Sequence, residues 1–338
     1  MTINIGWIGC GNHASEMLLP QLVRHDVRLA AIADLNPARL ELIGNRYGIL
    51  TRTTDALALL ETPGLDAVGM AVGPNQHAQF AAAALRKGLA VFIEKPPAAT
   101  AADANALAKI AAETGKVCVV GFMKRYSTAN RIAGNILRNA GFGAPASLLG
   151  EYMTAPGYFV GTPDYSGFLL HHCVHAIDLV PWLMGAPVIS VQARTHTLEP
   201  GKLLLHVGFN FASGALATVV MGNHQSRGTP MEWWQVMGDH QRVEMRNVYD
   251  VRHYKDPKFK ASDLAATLDP SCDTLLWEPN LTAAANEDHK GYHALLGAFL
   301  AAVRGEPNDA PSIADGARAM HALEAMVRSM TTGAVELV

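Results

Sequence analysis

The sequence predicts an α/β protein in which a doubly wound parallel sheet comes first and a domain with longer, mostly antiparallel strands follows. Three observations predict this fold class. Short apolar strands alternate with helices up to about residue 121, the strands lengthen after about residue 122, and two hairpin patterns follow. Apolar strands that alternate with helices are typical of a parallel sheet covered on both faces. Right-handed crossovers then make that sheet doubly wound.

The strands of the first part are bounded by clear turn and helix signals. Residues 3–8 are apolar and end at a glycine, and residues 28–34 are apolar and end at an acid. An alanine-rich helix over 76–86 stops at a lysine and a glycine, which is a basic last turn followed by a C-cap. Further strands are predicted over 66–72, 89–93 and 117–121, and a further helix over about 101–114.

Two antiparallel hairpins are predicted in the second part. Residues 203–211 and 215–221 flank one turn, and residues 233–237 and 242–246 flank another. The stretch 252–280 is polar and poorly periodic, so it is interpreted as a long loop or lid. Helices over about 290–304 and 312–330 are expected to pack back on the first domain. The expected division is therefore 1–121, 122–290 and 291–338.

Composition narrows the class of protein. The chain has 338 residues, 49% hydrophobic and 17% charged, which is a core-forming composition with room for about two domains. Its 27 basic and 30 acidic residues are mixed, for a net charge of −3, so we expect no nucleic-acid partner. No apolar run reaches the roughly 18 residues that span a bilayer, and no signal-like segment is present. We expect a cytoplasmic protein, no membrane partner and free cysteine thiols.

A glycine-rich turn follows the first strand. Gly9, Gly11 and Ala14 fit the pattern G-x-G-x-x-A between a strand and a helix, where a dinucleotide pyrophosphate meets helix amides. The second strand ends at Asp34, 20 residues after Ala14. An acid there accepts hydrogen bonds from adenosine ribose hydroxyls and repels a 2′-phosphate, so NAD is favoured over NADP. NADP stays an alternative, since Arg39 would assist binding of its 2′-phosphate if the loop bends.

Further motifs carry a family resemblance. Gly73-Pro74-Asn75-Gln76-His77 follows the third predicted strand, and Glu94-Lys95-Pro96-Pro97 follows the fourth. Together with the glycine-rich turn, the run 121–126 and the run 174–178, they resemble the Gfo/Idh/MocA family, the glucose-fructose oxidoreductase and inositol dehydrogenase group. The resemblance covers nearly the whole chain. It implies a Rossmann domain, a second α/β domain with a large open sheet, and homodimers or homotetramers built through that sheet.

The resemblance also implies an NAD-dependent oxidoreductase that acts on a hydroxyl or carbonyl of a sugar, sugar acid or cyclic polyol. Lys95 would stabilise the charge that develops on the reacting oxygen. His175 would take the hydroxyl proton, because imidazole titrates near neutrality. Asp178 would orient the helix or that histidine rather than react.

One position departs from the family pattern. Many members carry an aspartate four residues before the catalytic histidine, and this chain has His171 there. His171, His175 and Asp178 are spaced i, i+4 and i+7, which predicts one shared helix face. The i, i+4 histidines also fit a metal-ligand spacing, but no H-E-x-x-H pattern completes it, so no metal is expected. The altered position leaves the substrate open.

The expected site residues fall into two groups. Those expected at the cofactor are Gly9, Gly11, Asn12, His13, Asp34, Asn75, His77, Glu94 and Lys95. Those expected at the substrate are His171, His172, Arg125, Tyr152 and Tyr158, with Lys95 and His175 as catalytic groups. Arg125 is expected either to bind substrate or to brace the domain interface.

Two other functions stay open at this point. The first is an NAD-retaining glycoside hydrolase or lyase, which oxidises a ring hydroxyl transiently and then eliminates the leaving group. The second is a non-catalytic nucleotide-binding regulatory protein, against which the intact Lys95 and His175 argue.

Overall fold

The structure is a computed structural model that describes residues 2–155, 166–226, 231–260, 262–280 and 288–338. The chain divides into two compact units. The first unit holds residues 1–123 and 291–321, and the second holds residues 124–290 and 322–338. The boundary between residues 321 and 322 lies within the last helix, so the end of that helix and the residues after it belong to the second unit. The division into a cofactor-binding range 1–121, a substrate and oligomerisation range 122–290 and closing helices 291–338 stays a prediction.

The first unit is built on a parallel sheet. Among its described residues the sheet has six strands in the order β3-β2-β1-β4-β5-β6, and every neighbouring pair is parallel. This is the doubly wound arrangement that the alternating pattern predicted. The strands are β1 Ile3–Ile8, β2 Val27–Ala33, β3 Thr51–Thr53, β4 Ala67–Met70, β5 Ala90–Ile93 and β6 Cys118–Val120.

Helices connect these strands. A π-helical segment over Ala14–Leu18 precedes α1, and the helices are α1 Leu19–Leu22, α2 Pro37–Tyr47, α3 Ala56–Leu59, α4 Pro74–Arg86 and α5 Ala101–Thr114. Asp55 caps α3 by accepting hydrogen bonds from the Leu57 and Ala58 amides, and Thr100 caps α5 through the Asp103 amide. Such caps satisfy amide donors that a helix cannot bond internally. Trp7 and Phe92 fill the core between sheet and helices.

The second unit is built on an open sheet. In the described part of the chain it has nine strands in the order β14-β13-β12-β11-β7-β10-β9-β8-β15. The β7–β10 pair is parallel and the other neighbours are antiparallel. The strands are β7 Ser147–Met153, β8 Val188–Glu199, β9 Lys202–Phe211, β10 Leu216–Gly222, β11 Glu232–Met237, β12 Arg242–Arg246, β13 Asp250–Tyr254, β14 Leu275–Trp277 and β15 Glu336–Leu337.

Helices pack against this sheet: α6 Thr128–Leu137 contacts β12 and β13, and α8 Val174–Met184 contacts β7. The short helix α7 Ser166–Phe168 leads into a π-helical segment over Leu169–Cys173. The closing helices of the chain are α9 Tyr292–Arg304, which packs on α1, and α10 Ile313–Thr332. Trp234 is fully buried, and a Cβ at Gly150 would lie 2.4 Å from its ring. Gly150 is therefore the residue that makes room for the indole.

Both predicted hairpins are present. β9 pairs with β10, and β11 pairs with β12. Leu205 and Val207 are buried while His206 is exposed, which is the alternation expected of a strand with one face on the core. The interpretation of 252–280 as one long loop or lid is wrong at both ends. Residues 250–254 and 275–277 pair as β13 and β14 of the sheet, where cross-strand bonding supplies order that local periodicity does not show.

Two histidines stack in the first unit. The rings of His25 and His293 lie 4.0 Å apart at 11°, and His25 Nε2 lies 3.0 Å from the His293 carbonyl oxygen. Burial lowers the pKa of His25 below its ordinary value of 6.5, and the charges of His293, Arg24 and Arg304 lower it further, while the hydrogen bond to the His293 carbonyl raises it. The His25 imidazole therefore resists protonation.

We expect His25 to make the protein less stable in mild acid. Its pKa is lower in the folded state, so below pH 6.5 the unfolded chain binds the proton more readily. The contribution of neutral His25 to the free energy of unfolding is therefore complete above pH 6.5. It is lost as the pH falls through the lower pKa that His25 has in the folded protein. Urea unfolding of His25→Gln should lose less stability between pH 7.5 and 5.5 than the wild type. Equal losses in both proteins, with exposed His206→Gln as control, would contradict this assignment.

No helix within the described residues is both long and apolar enough to cross a membrane.

Candidate active site

The glycine-rich turn after β1 has the geometry that its sequence requires. Gly9 has φ +89°, and a Cβ on it would lie 2.3 Å from the Ala71 carbonyl oxygen. Only glycine tolerates both that backbone conformation and that close approach. The carbonyl of Gly9 accepts a hydrogen bond of 2.9 Å from the Trp7 indole. Asn12 and His13 follow as exposed residues at the start of the next helix.

Asp34 lies at the carboxyl end of β2, beside this turn. Its Oδ2 accepts a hydrogen bond of 2.7 Å from the Cys10 amide, and its Oδ1 accepts one of 2.8 Å from the Asn36 amide. Each carboxylate oxygen has a second lone pair for a ligand hydroxyl. Arg39 donates to the Cys10 carbonyl at 3.3 Å and to Asn12 Oδ1 at 3.1 Å. Arg39 is thus engaged with the turn itself.

A cavity of about 530 Å³ opens beside Asp34. Its lining comes from the carboxyl ends of neighbouring strands, where ligands of open α/β sheets bind. The lining includes Gly9, Gly11, Asp34, Leu35, Thr54, Asp55, Val72, Gln76 and Phe80. Apolar side chains with a few acids suit an adenosine, which offers a flat base and two hydroxyls. The residues present therefore fit the adenosine portion of NAD.

The turn after β5 holds Lys95. The Glu94 amide donates to the Met70 carbonyl at 2.9 Å, and the Lys95 amide donates to Glu94 Oε2 at 3.1 Å. The Lys95–Pro96 peptide bond is cis. Desolvation by burial lowers the pKa of the Lys95 ammonium, and the Glu94 carboxylate opposes that shift. A desolvated ammonium interacts strongly with a negative charge that develops near it.

Glu94 and His77 flank this turn. Glu94 is buried, and its Oε1 lies 3.6 Å from His13 Nε2. His77 is also buried, and its ring lies within hydrogen-bond distance of the Val72 amide and the Pro96 carbonyl oxygen. Asn75 is exposed in the first turn of α4. The structure therefore brings Gly9, Asp34, Glu94, Lys95 and His77 to one edge of the parallel sheet.

His175 lies in the second unit, near the start of α8, and it is buried. The one helix face predicted for His171, His175 and Asp178 stays a prediction. The regular helix expected there is interrupted, because Leu169–Cys173 is π-helical. His171 is exposed, whereas His175 and Asp178 are buried.

Asp178 forms an ion pair with Arg125. Arg125 Nε donates to one carboxylate oxygen at 2.9 Å, and its Nη2 donates to the other at 2.5 Å. A bidentate pair of this kind fixes the guanidinium plane. The geometry favours a bracing function for Arg125 within the second unit.

A row of aromatic rings supports the histidines. Tyr152 stacks on His172 at 4.3 Å between ring centroids, and Phe168 stacks on the same imidazole at 5.5 Å. The Tyr152 ring meets His175 edge-on at 6.4 Å and Trp234 at 5.9 Å. The Tyr152 ring thus lies against both His172 and His175. Tyr158 lies outside the described residues.

A buried ion pair beside Tyr152 and Trp234 was not predicted from the sequence. Lys124 Nζ lies 2.5 Å from Glu232 Oε1, and the Trp234 indole donates to Glu232 Oε2 at 3.4 Å. Lys124 Nζ also lies 5.4 Å from the centre of the Tyr152 ring. The sequence offers only weak signs of this pair: Lys124 precedes Arg125, and Glu232 precedes two tryptophans. Their pairing depends on sequence-distant strands. The described residues hold no cluster of three or more metal-ligating side chains.

The fold of the first unit and its glycine-rich turn define the class of NAD-binding oxidoreductases. A family model for the oxidoreductase family with an NAD-binding Rossmann fold matches residues 3–122, and the model for that family's C-terminal α/β domain matches residues 164–337. The chain belongs to the Gfo/Idh/MocA oxidoreductase family. The resemblance inferred from the motifs is therefore confirmed, as are the fold class and the NAD-binding domain.

Curated relatives and solved structures extend the comparison. The chain is 26% identical over 350 residues to inositol 2-dehydrogenase of Ralstonia nicotianae, covering 99% of this chain and 96% of that protein. It is also 28% identical over 176 residues to scyllo-inositol 2-dehydrogenase (NAD(+)) of Bacillus subtilis. That match covers 51% of this chain and 51% of that protein. The structure of levoglucosan dehydrogenase with NADH and L-sorbose has a TM-score of 0.84 at 18% identity, with 100% and 99% coverage. These relatives are dehydrogenases, which supports the leading prediction and not the alternatives.

Proposed function

We propose that this protein is an NAD-dependent dehydrogenase that oxidises a CH–OH group of a cyclic polyol or sugar. One observation carries the proposal: a family match over both parts of the chain coincides with a desolvated lysine at the end of β5. The first unit would hold NAD, and the second would supply substrate contacts. When bound, the nicotinamide accepts the hydride that leaves the substrate carbon.

The protein side chains divide the remaining work. The Lys95 ammonium stabilises negative charge on the reacting oxygen, and the His175 imidazole receives the hydroxyl proton. Asp34 accepts hydrogen bonds from the ribose hydroxyls, while Gly9 and Gly11 let the backbone approach the phosphates. The exposed His171 and the stacked His172 contact substrate hydroxyls. Arg125 and Asp178 hold the start of α8 in place.

Inositols lead the list of substrates to test, because relatives that match much of the chain carry that name. His171 replaces the aspartate common in the family, so neutral aldoses and uronic acids belong beside them. We further propose a cytoplasmic homodimer or homotetramer that associates through the open sheet. Exposed Leu149 and Leu216, on the paired strands β7 and β10, support that surface.

The experiment follows the absorbance of reduced nicotinamide. Purified protein receives NAD⁺ or NADP⁺ with inositols, aldoses, uronic acids and glycosides in separate wells. Absorbance growth with NAD⁺ and one class of polyol or sugar is the expected result. Sugar release from glycosides with no net reduced nicotinamide would instead indicate the hydrolase mechanism.

Asp34 should determine the choice of cofactor. We expect Asp34→Ala to weaken NAD⁺ binding by about 10- to 100-fold, because a hydrogen bond to a charged group contributes about 1.5–3 kcal/mol. The same change should ease NADP⁺ binding by removing a negative charge. The ratio of kcat/KM for the two cofactors measures this. Asp34→Asn is the matched variant, since it removes the charge and keeps the size. An unchanged ratio in both variants would exclude Asp34 as the ribose ligand.

A further inference from the structure

We propose that His77 is a positioning residue for Lys95, and this inference rests on the proposed function of that lysine. His77 lies in the first turn of α4 and is 1% exposed. Its ring lies between two backbone segments of the first unit: the residues that follow β4 and the turn that follows β5. Through the second segment it acts on Lys95 rather than on the cofactor directly.

The two hydrogen bonds determine the state of the ring. Nε2 lies 3.0 Å from the Val72 amide nitrogen, which can only donate, so Nε2 must be an unprotonated acceptor. Nδ1 lies 2.9 Å from the Pro96 carbonyl oxygen, which can only accept, so Nδ1 must carry the hydrogen. His77 is therefore the neutral tautomer with the proton on Nδ1. Both ring nitrogens are committed to backbone groups, which leaves neither of them for a cofactor contact.

These bonds complete a set that holds the chain on both sides of Lys95. Before Lys95, the Glu94 amide donates to the Met70 carbonyl at 2.9 Å. After Lys95, the carbonyl of Pro96 accepts from His77, which itself holds the Val72 amide. The hydrogen bonds on both sides of Lys95 therefore connect its turn to the end of β4 and the residues just after it. The Lys95 backbone is fixed relative to the strand beside it in the sheet.

Fixing this backbone matters because the Lys95 ammonium must meet a charge that develops at one point. A side chain displaced by about 1 Å can lower turnover by about 10²-fold. A lysine on an unsupported turn has four rotatable side-chain bonds and no preferred position. A buried histidine at the base of the turn removes that freedom without touching the reacting atoms.

Two variants separate the two bonds. The amide nitrogen of Asn takes the place of Nδ1, so His77→Asn keeps the bond to the Pro96 carbonyl and loses the one to Val72. The longer Gln reaches the place of Nε2, so His77→Gln keeps the Val72 bond and loses the one to Pro96. We expect kcat to fall by about 10²-fold in His77→Gln and by less than about 5-fold in His77→Asn. Thermal stability should fall by similar amounts in both.

The pattern distinguishes positioning from a merely structural function. A structural function predicts that kcat follows the loss of stability, so equal kcat values in the two variants would overturn the proposal. Affinity for ADP-ribose, which lacks the nicotinamide, should change by less than about twofold in either variant, since the cavity at Asp34 is not lined by His77. A large loss of ADP-ribose affinity in both would also overturn it.

A double-mutant cycle tests whether His77 acts through Lys95. In a Lys95→Ala background, His77→Gln should lower the residual turnover no further, because the group it positions is absent. Full additivity of the two losses would assign His77 a separate function and overturn the proposal.

Crystal structures provide a readout that needs no activity. Lys95 Nζ should move by more than about 1 Å in His77→Gln and stay in place in His77→Asn. If the wild type oxidises no polyol or sugar, the proposed function fails. The position of Lys95 in the two variants then still decides this inference, and an unmoved Lys95 in His77→Gln overturns it.

Discussion

Replacing Lys95 by alanine is expected to lower kcat by about 10²–10³-fold, the range seen when one preorganised group that stabilises transition-state charge is removed. The expectation follows from the position of Lys95 at the carboxyl end of β5 and from the desolvation that lowers the pKa of its ammonium. Initial rates at saturating NAD⁺ and substrate measure the effect. Lys95→Met keeps the aliphatic volume and should lose as much activity.

A matched control is available on the surface. Lys109 lies in α5 with its side chain 78% exposed, and Lys109→Ala should leave kcat unchanged. Circular dichroism and the melting temperature should match the wild type in all three variants. Near-normal turnover in Lys95→Ala would remove Lys95 from the mechanism.

Replacing His175 by asparagine is expected to lower kcat/KM by about 10²–10⁴-fold, the usual contribution of a positioned general base. The residual activity should also lose the acidic limb of its pH profile, since that limb reports protonation of the base. His171→Asn should behave differently, with a raised KM and a nearly normal kcat, because we propose that this exposed side chain contacts substrate without receiving the proton.

The exposed His196 provides the control for His175. His196→Asn should leave the pH profile of kcat/KM unchanged. A His175→Asn enzyme that keeps both its rate and its acidic limb would show that another group receives the proton.

Features encoded in short, local patterns could be predicted from the sequence. Apart from β3, the parallel strands of the first unit are apolar runs closed by turn residues, and the turn at Gly9 is defined by its glycines. Both hairpins of the second unit combine period-two alternation with a polar turn. In each of these cases the residues that decide the structure lie within about ten positions of one another.

Features that depend on sequence-distant partners could not be predicted. Strand β3 is only Thr51–Thr53, too short to show a period, and it forms because β2 offers a free edge. The helix before α8 is π-helical over Leu169–Cys173, and nothing in the local spacing indicates its wider turn. The Arg125–Asp178 and Lys124–Glu232 pairs join positions far apart in the chain.

The same limit applies to the candidate site. The sequence predicted Gly9, Asp34 and Lys95 at the ends of strands, because strand ends can be located from apolar runs. It did not show that Tyr152 would stack on His172 or that both nitrogens of His77 would be engaged. Side-chain partners across a sheet are set by the fold as a whole.

Isotope transfer from substrate to cofactor tests most directly whether the enzyme moves a hydride from a CH–OH carbon to the nicotinamide. The active polyol or sugar is supplied with deuterium on the carbon that is oxidised, and the reduced nicotinamide is examined by mass spectrometry. We expect reduced cofactor that carries one deuterium, formed by the wild type and nearly absent with Lys95→Ala. Reduced cofactor without deuterium, or product release with no net reduced nicotinamide, would contradict it.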